Sequence, residues 1–137
     1  MQRFLLLILV FINMSLSYSQ GNLPPGTYTS TNKKAIKYFE ESKKMFQIRK
    51  DADAEKLIKK AIEEDPQFIE ALSAYADFLM GNNRIKEAIP LLEKAIQLNP
   101  KIFVDNNYYL AGAYMSVGEY EKAIPCFEKI IKTERIN

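Results

Sequence analysis

The chain has 137 residues, room for one modest domain, and its 19 basic and 17 acidic residues leave a net charge of +2. The two signs are interspersed, which excludes the basic stripe of a nucleic-acid binder. The absence of histidine removes the commonest general base and metal ligand, and a single cysteine, Cys126, excludes an intramolecular disulfide, a Cys–His nucleophile pair and a thiolate zinc site.

In chain order, Arg3 precedes an unbroken apolar run from Phe4 to Ile12. Nine residues are too few for a transmembrane helix, which needs about 20. Ser17-Tyr18-Ser19 then supplies small residues at the −3 and −1 positions of a cleavage site. Residues 1–19 are therefore expected to be a secretory signal peptide, with Gln20 as the mature N-terminus. No cysteine follows the apolar run, which disfavours a lipoprotein anchor, and an exported periplasmic or outer-membrane-associated location is expected.

Residues 20–32, QGNLPPGTYTSTN, are rich in Gly, Pro, Ser and Thr and predict a linker or extended arm. From Lys33 the apolar spacing becomes helical almost to the end. Lys33, Lys34, Lys37, Lys43 and Lys44 form the only basic cluster, and Glu40 and Glu41 dilute it to a solvated helix face. Pairs such as Glu40/Lys44, Glu55/Lys59 and Glu128/Lys132 have the spacing of surface support along one helix.

The helical part repeats. Ala54 to Ala88, Ala61 to Ala95 and Pro66 to Pro100 are each 34 residues apart, while Ala88 to Ala123 and Pro90 to Pro125 are 35 apart. Small residues Ser42, Ala76 and Ala111 share another slot, where two helices need a short side chain to approach. Pro90 and Pro125 sit in the segments AIPLLEKAI and AIPCFEKII, and their placement predicts the first turns of helices, where a missing amide costs little. Asp65-Pro66 and Asn99-Pro100 suit breaks between units.

This period and these landmarks resemble the tetratricopeptide repeat, a helix–turn–helix unit. The family's A-x3-F pattern is matched by Ala54/Ile58, Ala88/Leu92 and Ala123/Phe127, and its W-x2-L-G-x2-Y pattern, more loosely, by Tyr38, Ser42 and Met45, by Leu72, Ala76 and Leu79, and by Asn107, Ala111 and Tyr114. The resemblance implies an all-α fold: a right-handed α-solenoid of about three repeats over residues 33–137, at about 35–68, 69–103 and 104–137. It implies a binding module with no enzymatic activity, no cofactor, no metal and no nucleic acid, taking a protein or peptide on its concave face. The family's ligand-facing positions fall on Phe39, Lys43 and Phe46, on Ser73, Asp77 and Met80, and on Tyr108 and Met115. The carboxylate clamp of one family subset is absent apart from Lys43. Packing between helices is the alternative for Phe39 and Phe46.

Cys126 reads as a small buried hydrophobe. Ile124, Phe127 and Ile131 recur at helical spacing in the last repeat and form a candidate docking edge for another chain or for self-association. The stretch Phe103 to Ile124, following Asn32 to Ile36, is also similar to the N-terminal repeats of bacterial envelope proteins with OmpA-type domains, some linked to type IX secretion or gliding. That resemblance implies a part in a larger envelope assembly.

Overall fold

The computed structural model describes residues 28–99 and 105–134. The expected leader, most of the arm, and residues Pro100 and Phe103 lie outside them. Among the described residues there are six helices and no strand: α1 Lys33–Gln47, α2 Asp51–Glu64, α3 Ile69–Gly81, α4 Ile85–Leu98, α5 Asp105–Ser116 and α6 Tyr120–Glu134. Each helix packs on the next, so α1/α2, α3/α4 and α5/α6 form three successive pairs.

The start of α1 is set by Asn32, whose Oδ1 accepts from the amides of Lys34 and Ala35 at 3.0 and 3.2 Å. The same side chain donates to the Glu64 carbonyl at 3.0 Å, tying the beginning of α1 to the end of α2. Within each pair the turn follows one recipe. The amides of Lys50, Arg84 and Glu119 donate to the carbonyls of Met45, Leu79 and Tyr114 at 2.9, 2.8 and 2.8 Å. The residues just before them, Arg49, Asn83 and Gly118, all have positive φ, at 61°, 60° and 81°. This is the left-handed closure that satisfies the last helical carbonyls. The break between the first two pairs is different: Asp65 is extended, and its Oδ1 accepts from the Gln67 amide at 3.0 Å.

The small slots are buried as the repeat requires. Ser42, Ala54, Ala61, Ala76, Ala88, Ala95 and Ala111 have no exposed surface, and Ala123 is buried too. A larger side chain at any of them forces apart a close helix contact. Ser42 satisfies its hydroxyl within the core by donating to the Phe39 carbonyl at 2.7 Å. Large residues Phe68, Ile58, Leu72, Leu79 and Leu92 fill the space between the small ones.

The prolines fall in the opening turns of their helices as expected, but late enough for the missing amide to matter. Pro90 and Pro125 are each the sixth residue, in α4 and α6. The first intrahelical bond of α4 already closes at Ala88, whose amide donates to the Arg84 carbonyl at 3.3 Å. Each proline therefore removes one hydrogen bond that its helix would otherwise make, leaving the carbonyls of Lys86 and Glu121 without that amide. Both helices nonetheless continue, to Leu98 and Glu134.

Candidate interaction face

The first helices of the three pairs are neighbours. Phe46 of α1 and Phe78 of α3 bring their rings to 4.8 Å, and Phe78 stacks on Tyr75 at 6.5 Å. Between α3 and α5, Asn106 donates through Nδ2 to the Ser73 hydroxyl at 2.9 Å. The family-derived positions lie on these three first helices, and they differ in how open they are.

Phe39 is 4% exposed, so of the two alternatives its packing role holds and it does not present a free surface. Its ring is wedged between Phe68 at 4.9 Å and Tyr28 at 5.5 Å. Lys43 is also engaged. Its Nζ pairs with Glu40 at 3.5 Å, donates to the Tyr28 hydroxyl at 3.4 Å and lies over the Phe39 ring at 5.6 Å. Ser73 and Met80 are half-buried, Ser73 holding the bond from Asn106. Phe46 is half-buried, while Asp77, Tyr108 and Met115 are exposed. Phe46, Ala74 and Phe78, with Arg49, Asp51 and Asp77, line a cleft of about 530 Å³ between α1 and α3. It pairs an apolar lining with one cation and two carboxylates, the composition of a surface that anchors a peptide and fixes its direction.

Sequence reading missed Phe78, Arg49 and Asp51. Phe78 adjoins Asp77, so a register assigned one residue per turn passed over it. Arg49 and Asp51 belong to the turn and the start of α2, outside the helix to which the family assigns its ligands.

On α6, Ile124 and Ile131 are 57% and 53% exposed. Phe127, expected beside them, is half-buried and meets Tyr108 edge-on at 6.4 Å. A second cleft, about 760 Å³, lies among α4, α5 and α6 and includes Glu93, Asn107, Tyr114, Lys122 and Cys126. Tyr114 donates its hydroxyl to Glu93. Asn107 is buried with its Oδ1 unpartnered, in the slot that Tyr38 and Leu72 fill in the earlier repeats. Burial pushes the Cys126 thiol up, which keeps it protonated, the reverse of an activated nucleophile.

Away from the candidate face, Glu55 of α2 joins three helices. It accepts from the Tyr75 hydroxyl at 2.8 Å and from Arg84 at 2.9 Å, and pairs with Lys59 at 2.9 Å as its spacing predicted. The expected Glu40/Lys44 support is replaced by Glu40 with Lys43. Burial pushes the Glu55 carboxyl up, but hydrogen bonds from Lys59, Tyr75 and Arg84 outweigh it and hold it at about 2, against an ordinary 4.5. The carboxylate's contribution to stability is therefore complete above pH 4.5 and is lost as pH falls toward about 2. Glu55→Gln should cost roughly 1–2 kcal/mol at pH 7, in the range for hydrogen bonds to a charged group that keeps some solvent contact. Urea midpoints of the two chains across this acid window check it: the gap must close on acidification, and a constant gap contradicts the network.

The comparisons with known proteins bear on the array as a whole. A tetratricopeptide repeat model matches residues 79–135. The fold is similar to the crystal structure of MamA, with a TM-score of 0.64 and 30% identity over 74% of this chain and 58% of that one.

The described residues form a tetratricopeptide-like α-solenoid.

The N-terminal domain of stress-induced protein-1 from C. elegans shares the tetratricopeptide-like fold at 18% identity, with a TM-score of 0.64 over 72% of this chain and 82% of that one. Among curated proteins, the TPR repeat-containing protein YpiA of Bacillus subtilis (strain 168) is 30% identical over 109 residues, 72% of this chain. The chain spans a quarter of YpiA's length, as the 25% coverage shows. The matched model and YpiA carry the tetratricopeptide repeat, which is typically a non-catalytic scaffold for protein–protein interaction.

Proposed function

We propose that the protein is a non-catalytic interaction scaffold of the bacterial cell envelope, binding a peptide or protein segment on the face built by α1, α3 and α5. The observation that carries this reading is the alignment of the three first helices. The Phe46–Phe78 and Ser73–Asn106 contacts join them, Asp77 is exposed in the α1–α3 cleft, and Tyr108 and Met115 are exposed on α5. Export rests on the sequence of residues 3–19, and intact mass of the envelope fraction should show a chain beginning at Gln20.

The face is tested with a segment selected from a peptide array and titrated against purified protein. Asp77→Lys and Tyr108→Ala should each weaken binding at least about tenfold, a loss of about 1.4 kcal/mol, while Lys86→Ala on α4 leaves it unchanged. Binding indifferent to both face substitutions overturns the reading.

Exposed Ile124 and Ile131, one heptad apart on α6, favour a second reading as an assembly module within a larger OmpA-like or type IX secretion complex. Sedimentation velocity distinguishes the two. Concentration-dependent association abolished by Ile124→Glu supports assembly, and a monomer at every concentration removes it.

A further inference from the structure

Residues 28–30 run back along α1 into the crevice between α1 and α3, and they make the contacts of a bound ligand. Tyr28 packs edge-on against Phe39 at 5.5 Å and Phe68 at 5.6 Å. Its hydroxyl donates to Glu40, and Lys43 lies 5.9 Å from the centre of its ring. Thr29 is held at both polar ends. Its backbone amide donates to the two Glu70 oxygens at 3.0 and 3.3 Å, and its hydroxyl donates to Glu70 at 2.5 Å. The same hydroxyl accepts from the Ile69 amide at 3.1 Å, at the start of α3.

Glu70 is the informative member. It is 7% exposed, and among the described residues its hydrogen bonds come from Thr29. Thr29 supplies this covered carboxylate with an amide and a hydroxyl donor, the partners without which a buried carboxylate is costly. The helical repeat closes its own core without using that carboxylate, and the segment that satisfies it comes from outside the repeat. Phe39 and Lys43, two positions placed on the partner face by the repeat resemblance, both touch this segment through Tyr28, and Phe39 also meets Phe68.

We propose that the α1–α3 crevice is a recognition site for an extended segment carrying a tyrosine followed by a β-hydroxyl residue, and that residues 28–30 are its resident occupant, which a partner of that chemistry must displace. This inference rests on the reading of the α1–α3–α5 face as the partner surface. A tethered segment acts at an effective concentration on the order of millimolar, so an external segment making equal contacts at micromolar concentration is held off about a thousandfold. Occupancy in cis thereby sets a threshold: at low concentration a partner enters by also engaging the open cleft beside Phe46 and Asp77, whereas a segment with the arm's contacts alone must be in large excess.

The probe is a fluorescent peptide with the sequence of residues 26–32, followed by anisotropy. The full chain carrying Tyr28→Ala and Thr29→Ala should bind it saturably and at least tenfold tighter than the unaltered chain. Adding Glu70→Gln to that variant should abolish the gain. Equal binding by the emptied and unaltered chains, or none by either, overturns the proposal. A second measurement needs no variant. Excess peptide added to the unaltered chain should accelerate hydrogen exchange of the Thr29 amide at least fivefold, and unchanged exchange overturns displacement. If the unaltered chain instead dimerises and the emptied variant does not, the arm is exchanged between copies and cis occupancy is overturned. Loss of the array-selected partner with peptide binding intact removes the scaffold reading alone, and the reverse removes only this one.

Discussion

Phe68→Ala should lower the free energy of unfolding by about 3–5 kcal/mol, the range for emptying an aromatic site in a packed core. Phe68 has no exposed surface and lies in the short connection between α2 and α3. Its ring meets Phe39 from α1 and Tyr28 from the arm, so one side chain supports three separate parts of the chain. Its carbonyl also accepts the Leu72 amide at 3.1 Å, opening α3, but that bond belongs to the backbone and survives the substitution. The loss should therefore come from packing, with helix content at low denaturant preserved. Urea unfolding followed by circular dichroism checks this, and a shift under about 1 kcal/mol would contradict the burial.

Leu92→Ala should cost about 2–5 kcal/mol, and Phe127→Ala only about 1–2 kcal/mol, although phenylalanine is the larger side chain. The two residues hold the same slot, one repeat apart, with Ile58 in the repeat before. Ile58 and Leu92 are fully covered, whereas Phe127 is half-buried against Tyr108. Stability in such arrays is a sum of repeat and neighbour terms, so the slot's value follows its coverage rather than its chemistry. Unfolding both variants under the same conditions tests the order. A larger loss at Phe127 would mean that its ring is sheltered by more than α5.

The repeat itself was legible from residue spacing. Ala54, Ala88 and Ala123 recur at one period, and every one is buried, because close helix approach leaves room for nothing larger. Periodicity also separates exposed Asp77 from buried Ala76 beside it. What it could not reveal is contact across the sequence. Residues 28–32 have the composition of a linker, yet Thr29 meets Glu70 at a separation of 41 residues. Tyr28 beside it packs on Phe39, a position that the resemblance left open between the partner face and packing between helices. The Glu55 network was half visible: its partner Lys59 is one turn away, but Tyr75 and Arg84 come from other helices. The cost of the prolines was underestimated for a different reason. Sequence shows where a helix can tolerate proline, and packing carries α4 and α6 far enough ahead of it to absorb a missing bond.

The left-handed turn residue at Arg49, Asn83 and Gly118 bears on how such a chain can lengthen. Successive positions are 34 and 35 residues apart, and the hydrogen bonds around them are the same in kind and length. A tandem duplication of one such cassette therefore inserts a helix pair that carries its own closure. Length in this lineage is open to single genetic steps, while the internal packing of each layer stays as it was. Arg49 takes this left-handed backbone without the asparagine or glycine that favours it.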